Sequence, residues 1–588
     1  MKKNYIGFAS TFHDSAMAIV NSEGKVVFAE ATERYLQNKR AMNCPPDVFM
    51  HIGSVIDRYC EKDAELVAAQ SWSEKTDDYM NDLDKTLEAA EKGFTQILGE
   101  IPYAYRLNMD FNRFCTETLP RQNAVTGKTL RYELSRKEAW RKAAASMEER
   151  RYTHHLTHAA TACMTSPFSE CACAVLDGYG EGQAVAAYTY RDGMLTPLTA
   201  VSENWEKNGS LGGLYMVVCD LCGFGYFKGE EWKVMGLAAY GKFDQKYYDL
   251  FSRLYTVDGL EVKVNNQFRF IKTLETLYTY QRKPGQPALE MADLAYTGQV
   301  VFSELVYRYL NNLCEITGMK NVALGGGSFL NSWTNGAVTQ NTGFENAYIF
   351  SAPGDDGNAI GAALLAYKQD HPDFVPDKTF QSPYLGNELN KKGLENFLKF
   401  GGMENRIAYH PDDVCAVTAK LIARGKIVGW VQGRAEFGPR ALGNRSILAD
   451  ARAADCKERI NARVKFREEF RPFAPSILHE HGAEYFEDYM DTPYMERTLR
   501  FREEVMPLVP GVVHENKTGR LQSVHREYNA KYYDLINEFY KLTGVPLVLN
   551  TSFNVMGKPI IDTFEDAIAV FFTSGLDALV IDDMILYK

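Results

Sequence analysis

The sequence predicts an α/β fold built on a duplicated unit, and three observations point to it. Residues 5–29 read as strand, polar loop, strand, turn and strand; residues 171–198 repeat that plan; and two glycine-rich segments follow, each running toward a helix. In the first copy, Tyr5-Ile6-Gly7-Phe8-Ala9 leads through His13-Asp14-Ser15 into Ala16-Met17-Ala18-Ile19-Val20. The turn Asn21-Ser22-Glu23-Gly24-Lys25 then precedes Val26-Val27-Phe28-Ala29. In the second copy, Ala172-Cys173-Ala174-Val175-Leu176 leads into Asp177-Gly178-Tyr179-Gly180-Glu181, followed by Ala184–Tyr188 and the turn Arg191-Asp192-Gly193. Two such loops project polar side chains into a shared cleft. The glycine segments, Val322–Ser328 and Pro353–Ala363, have a composition suited to anionic groups at a helix N-terminus, although tight turns use the same residues.

The remaining elements are read more coarsely. Residues 110–150 are charged and helix-prone, as expected of an insertion or cover. Pro372, Pro376 and Pro383 punctuate a polar stretch over 369–387, which places a domain boundary there and divides the chain into 1–370 and 371–588. At 588 residues and 45% hydrophobic, the chain is long and apolar enough for two cores. A net charge of −11 argues against a nucleic-acid coat while permitting a local basic pocket. The 11 cysteines are scattered, and Cys219-x-x-Cys222 sits in an apolar segment where core packing accounts for it. No apolar stretch approaches the roughly 18 residues of a membrane span, so a cytoplasmic protein with no membrane partner is expected.

Three of the 11 histidines fall in His154-His155-Leu156-Thr157-His158. On a helix, His154 and His158 share a face, as either a hydrogen-bonded surface or half of a metal site. Asp177, ending an apolar strand, offers a carboxylate, and a mixed N/O set suits Fe, Mn or Zn alike. Downstream, Gly433–Ser446 and Asn461–Phe473 interleave arginine and lysine with Gly, Pro and Phe rather than at helix-surface spacing. In an acidic chain this reads as an anion pocket, because guanidinium forks match phosphate oxygens. Arg520 follows Gly519, and the strand Leu547-Val548-Leu549 ends in Asn550-Thr551-Ser552, able to bind a small polar ligand or simply to cap the strand.

In this order, His13-Asp14-Ser15, His154–His158, Leu176–Glu181, Lys233–Ala238, Gly325–Asn331, Gly354–Ala363, Gly433–Ser446, Phe470–Pro475 and Leu549–Asn554 resemble the O-carbamoyltransferases of nodulation-factor and antibiotic biosynthesis. The resemblance covers nearly the whole chain. It implies a duplicated actin-like ATPase (TsaD-like) domain followed by a YrdC-like α/β domain. It also implies formation of carbamoyl-adenylate from carbamoyl phosphate and ATP, then transfer to a hydroxyl of a small natural product. By the same resemblance His154, His158, Asp177 and Asp355 hold a divalent metal, with Fe(II) suggested, and Mg²⁺ accompanies ATP. Gly326, Gly327 and Asn331 line the adenylate site, and Lys465 lies beside the ATP phosphates. Arg440, Arg471, Arg520 and Asn550 hold carbamoyl phosphate.

His13, with Asp14, is read as base or orienting group for the attacking hydroxyl. Asp356 is assigned to substrate. Lys39 serves substrate or phosphate, or is a solvated surface lysine. A homodimer fits the family, and no nucleic-acid partner is expected. The loop His514–Thr518 carries Glu-Asn-Lys where the family pattern has an Asp-Gly turn, which bears on the geometry near Arg520. Two other readings compete: carbamoyl or threonylcarbamoyl transfer to nucleic acid, and a non-catalytic ATP-binding module.

Overall fold

The computed structural model describes residues 2–200, 208–225, 228–264 and 266–588. It separates into two compact units. One comprises Met1–Thr32, Arg40–Leu330 and Val338–Thr379; the other comprises Glu33–Lys39, Asn331–Ala337 and Phe380–Lys588.

The first unit holds two five-stranded sheets of the same design. Strands β1 (Lys3–Ala9), β2 (Ala16–Val20), β3 (Val26–Ala31), β4 (Glu65–Gln70) and β5 (Glu148–Arg151) are ordered β3-β2-β1-β4-β5. Strands β6 (Glu170–Gly180), β7 (Gln183–Arg191) and β8 (Met194–Pro197) follow, then the separate hairpin β9 (Tyr255–Asp258) and β10 (Glu261–Val264), then β11 (Asn321–Gly325) and β12 (Asn346–Ile349). The second sheet runs β12-β11-β6-β7-β8. In each sheet three antiparallel strands are joined to two parallel ones, so β6, β7 and β8 repeat β1, β2 and β3. The duplication expected from sequence is therefore present, and the unit has the α/β, actin-like architecture. Both central strands are nearly continuous apolar runs because both of their faces are covered.

Two helices bind the halves together. Helix α1 (His154–Met164) follows β5 but packs on β6 and β11, whereas α2 (Asn358–Asp370) follows β12 but packs on β1, β2 and β4. The two helices also pack on each other. Glycine makes these approaches possible: a Cβ on Gly7 would lie 1.9 Å from the Ala359 carbonyl oxygen, and one on Gly361 would lie 2.0 Å from that of Thr157. The stretch 110–150 is helical, as expected, over the end of Tyr103–Val125 and over Lys128–Ser135 and Arg141–Ala145, and a further helix, Thr76–Leu98, precedes it. The helices Thr76–Leu98 and Tyr103–Val125 bury Met80, Leu83, Leu87, Met109 and Leu119 in a small core with Phe12 and Trp72.

The second unit is built on a nine-stranded mixed sheet. Its strands are β13 (Ile407–Tyr409), β14 (Val428–Val431), β15 (Arg445–Ala449), β16 (Ala474–Leu478), β17 (Arg497–Arg500), β18 (Thr518–Val524), β19 (Leu547–Ser552), β20 (Ala578–Ile581) and β21 (Met584–Tyr587). Their order is β13-β21-β20-β14-β15-β19-β16-β18-β17, with β14–β20 and β16–β18 parallel. Trp430, Ile447, Leu549, Phe553 and Phe571 fill one continuous core. Among the described residues, no helix is long and apolar enough to cross a membrane.

Candidate metal and anion sites

In the first unit the topology gathers four of the predicted residues. α1 is helical from His154, so His154 and His158 project from one face, and their Nε2 atoms stand 3.2 Å apart. Asp177 Oδ2 lies 3.2 Å from His154 Nε2 and 3.8 Å from His158 Nε2. Asp355 Oδ1 lies 3.6 and 3.4 Å from the same two nitrogens. All four donor atoms fall within 4.8 Å of one another. This set fits a divalent cation: two imidazole nitrogens and two carboxylates converge on one point, in the mixed N/O chemistry that Fe, Mn or Zn accepts. Burial pushes both carboxyls up, but the facing imidazoles outweigh it and hold Asp177 and Asp355 below the usual carboxylate range. Burial lowers His154, yet Asp355 and Asp177 raise it overall. His155 points elsewhere; burial drives its pKa down to about 3, so it stays neutral.

The surroundings fix these side chains. Glu181 Oε2 accepts the His154 backbone N–H at 2.7 Å, while its Oε1 accepts from the Ser73 N–H at 2.8 Å and the Thr76 hydroxyl at 3.1 Å. Trp72 stacks on the His154 ring at 4.4 Å. The Gly327 N–H donates to Asp177 Oδ1 at 2.9 Å, and Gly326 enters that turn at φ +97°, where a Cβ would lie 2.3 Å from the Leu176 carbonyl oxygen. Asn358 places its amide 3.5 Å from His154 Nδ1, and its own Oδ1 is buried without a partner. With the amide turned over, Oδ1 accepts the Nδ1 proton that a histidine ligating through Nε2 must carry.

Beside this cluster lies the loop predicted to act on the hydroxyl. His13 Nδ1 is 2.9 Å from Asp14 Oδ2 and 3.8 Å from Asp355 Oδ2. Arg40 grips the same Asp14 oxygen through Nε at 3.1 Å and an Nη at 2.8 Å. Burial would raise Asp14, but Arg40 and His13 bring it well below the ordinary range. Asp356 does not join the histidines; its Oδ1 accepts the Gly357 N–H at 3.0 Å. Lys39 falls in the second unit, exposed, 3.3 Å from Glu33. Asn331 also falls there and caps the helix Ser332–Gly336 by accepting from the Thr334 N–H.

In the second unit Arg440, Arg467, Arg471, Arg520 and Lys465 gather, with Glu468 3.3 Å from Arg471. Burial lowers the pKa of Arg520, and the charges of Arg440, Arg467 and Arg471 lower it further. Lys465 is buried and pushed far down, with Arg467 and Arg471 adding to the effect. Arg520 Nε is buried without a protein acceptor, and Asn550 Oδ1 is buried without a protein donor. The guanidiniums match an incoming polyanion, which relieves both their repulsion and the unmet donor of Arg520, while Asn550 Oδ1 is free to accept from an N–H of the ligand.

The arginine tract divides into two kinds. Arg445 is wholly buried and donates to the carbonyls of Asp562, Gln432 and Asn444 at 2.8–3.0 Å, and Arg434 donates to Gly386 at 2.9 Å; both hold the backbone in place. Lys465 closes a π-helical turn, Asn461–Lys465, before Phe466 at φ +48°. That bulge turns its ammonium inward, onto Asn554 Oδ1 at 2.7 Å and the Ser552 carbonyl. Asn550 donates to the Ala441 carbonyl and to Ser476 Oγ, both at 3.0 Å. The Glu-Asn-Lys loop still makes a tight turn: His514 N–H donates to the Thr518 carbonyl at 2.8 Å, and Lys517 takes φ +65°.

Sequence reasoning missed the roles of Trp72, Arg40, Arg467 and Asn358. Glu181 and Asn358 lay within quoted motifs, but nothing local marked them as partners of His154. Only the sheet order makes Ser73 and Thr76 neighbours of Glu181.

Comparison with known proteins extends the picture over both units. The family model described as carbamoyltransferase N-terminus matches residues 4–364, and that described as carbamoyltransferase C-terminus matches residues 419–588. An uncharacterized protein of Synechocystis sp. is 32% identical, over 99% of this chain and 96% of that protein. Nodulation protein NolNO of Sinorhizobium fredii is 37% identical, over 74% of this chain and 63% of its own length. Nodulation protein NolO of Bradyrhizobium diazoefficiens is 36% identical, over 74% of this chain and 78% of its own. Among solved structures, full-length HypF in its phosphate- and nucleotide-bound form aligns with a TM-score of 0.37 at 14% identity, covering 62% of this chain and 55% of that one.

Proposed function

Because the chain belongs to the carbamoyltransferase family, and so is a carbamoyl-transferring enzyme, we propose that it works in two half-reactions, one in each unit. In the YrdC-like second unit carbamoyl phosphate loses its phosphoryl group to water as inorganic phosphate, and the carbamate oxygen then displaces pyrophosphate from the α-phosphorus of ATP to give carbamoyl-adenylate. The carbamoyl group then passes to a hydroxyl of a small natural product in the first. The observation that carries this reading is the division of chemistry: an N/N/O/O cluster beside a histidine–aspartate pair in one unit, and a cluster of mutually repelling guanidiniums in the other.

Adenylation brings two polyanions together, and the residues of the second unit answer that requirement. Arg440, Arg471 and Arg520 hold the carbamoyl phosphate oxygens, Asn550 hydrogen-bonds the carbamoyl end, and Lys465 faces the ATP phosphates, with Mg²⁺ expected on the nucleotide. Fixed cations in a site shielded from water stabilise developing charge without reorganising, and one such donor is worth about 10²–10³ in rate.

In the first unit, Asp14 accepts from His13 Nδ1, which leaves Nε2 to take the proton of the attacking hydroxyl. Arg40 keeps Asp14 ionised, and the ionised carboxylate stabilises the imidazolium that forms. His154, His158, Asp177 and Asp355 would hold a divalent cation, which supplies Lewis-acid stabilisation of charge on the acyl or phosphate oxygens when bound. The Gly326–Gly327 turn offers backbone to the adenylate.

The test separates the half-reactions. His154→Ala should abolish transfer while carbamoyl-phosphate-dependent pyrophosphate release persists. Arg471→Ala should abolish that release while transfer from supplied carbamoyl-adenylate persists. Loss of the same step in both variants would refute the division. Radiolabelled carbamoyl phosphate offered with hydroxylated metabolites and with tRNA identifies the acceptor class, and label on tRNA alone would overturn the small-molecule reading.

A further inference from the structure

We infer that the second unit carries a separate site for a divalent transition metal, made by His479, Asp491 and His525. Strand register creates it. β16 and β18 are parallel neighbours, and Leu478 pairs with Val524 at their ends. The residue following each strand is a histidine, so the same register sets two imidazoles side by side. Their rings stack with centroids 3.9 Å apart and planes at 26°. Asp491 completes the group: its Oδ1 lies 2.9 Å from His525 Nε2 and 3.4 Å from His479 Nδ1, and the three donor atoms fall within 4.8 Å of one another.

The carboxylate is held in place before any ion arrives. The neighbouring Thr492 N–H donates to Ser523 Oγ at 2.9 Å, the Ser523 N–H donates to the Thr492 carbonyl at 3.1 Å, and Thr492 Oγ1 donates to the Leu521 carbonyl at 3.2 Å. Arg497 donates to the carbonyl of Asp491 itself at 2.9 Å. These bonds tie the loop that carries Asp491 to the strand that precedes His525. The Tyr489 hydroxyl, bound to Ser523 Oγ at 2.8 Å, stands 3.0 Å from His479 Nδ1, the nitrogen that faces Asp491, so an ion takes the place of that contact.

Two nitrogens and one oxygen select the class of ion. Mg²⁺ and Ca²⁺ take oxygen donors, whereas imidazole suits zinc, copper and nickel. Three protein ligands leave a position for water. The His479 and Asp491 side chains are 39% and 40% exposed, so an ion exchanges from solvent without opening the core. The site is also apart from the anion cluster. Arg520 and His525 are carried by one extended segment, which at about 3.3 Å per residue separates them by about 16 Å. Arg471 precedes β16 and Arg520 lies early in β18, whereas the metal ligands follow both strands. The ion would clamp the far ends of the two strands that carry the arginines, and takes no part in the reaction itself.

The test uses the full-length protein loaded with zinc, with metal per chain measured by plasma mass spectrometry after gel filtration. A variant lacking the first cluster, His154→Gln with His158→Gln, should keep one equivalent of zinc. Adding His479→Gln and His525→Gln should remove it. Zinc bound equally with and without the second pair overturns the site. A measurement on the unaltered chain guards against misfolded variants: zinc should protect His479 and His525 from diethyl pyrocarbonate, mapped by peptide mass. Equal modification of both with and without zinc would also overturn the site.

Discussion

Gly361→Ala tests whether helix packing sets the geometry of the N/N/O/O cluster. The added Cβ would lie 2.0 Å from the Thr157 carbonyl oxygen and 2.7 Å from Thr161 Oγ1. The first is backbone and cannot rotate away, so reaching an ordinary contact of 3.4 Å separates α1 from α2 by about 1.4 Å. α1 carries both histidines, and Asp355 sits just before α2, at 3.4–3.6 Å from their Nε2 atoms. Metal–ligand distances tolerate only about 0.2 Å. The separation therefore removes Asp355 from the set, and metal affinity should fall about 10–100-fold. Overpacking costs about 1–3 kcal/mol besides. The assay pairs metal content per chain with thermal unfolding and carbamoyl transfer. Gly93→Ala is the control: a Cβ there meets nothing within 4 Å in the helix Thr76–Leu98, so stability should hold or rise by about 0.5–1 kcal/mol. If Gly361→Ala loses stability yet keeps wild-type metal content and transfer, the helix contact does not govern the cluster and the reasoning fails.

Two further outcomes are expected. Arg520→Ala relieves crowding among buried cations, so the melting temperature in the absence of ligand should hold or rise while carbamoyl-phosphate-dependent pyrophosphate release falls about 10²–10³-fold; a clear fall in melting temperature would count against an anion pocket. Glu496 is pushed up to about 7 because burial outweighs the neighbouring Arg497. A carboxyl raised in the folded state binds a proton that the unfolded chain has released, so its contribution is full below about pH 4.5 and fades as pH rises toward 7. Glu496→Gln should flatten the slope of stability across that window, worth up to about 3 kcal/mol; denaturant melts at pH 5 and pH 7.5 with unchanged pH sensitivity would contradict the assignment.

Much of the first unit was legible in the chain. The repeated strand–loop–strand pattern is written in local alternation and turn residues, and both sheets follow it. The histidine pair was legible because four residues of helix bring two rings onto one face. The carboxylates were harder. Asp355 and Asp356 are adjacent, and the sequence alone offers both; the 3₁₀ turn at Asp355–Gly357 decides between them by pointing Asp356 back to its own backbone. The supports of the site were illegible because they are long-range. Glu181 reaches Ser73, 108 residues away, and Arg40 reaches Asp14 across a loop with no motif of its own. In the arginine tract, composition announced a basic pocket but could not sort its members. Arg445 and Arg440 look alike on paper, yet one spends its donors on carbonyls within the fold.

The exchange of α1 and α2 between the two halves has a consequence for the growing chain. When α1 has been synthesised, the sheet it covers does not yet exist, and the histidines it carries wait for Asp355, some two hundred residues further on. Neither half can bury its own helix by itself. A gene cut between the repeats would encode two fragments that each expose an apolar helix face and an uncovered sheet. Such fragments should aggregate apart and recover structure only when mixed, so the two halves are alike in design and yet fold as one.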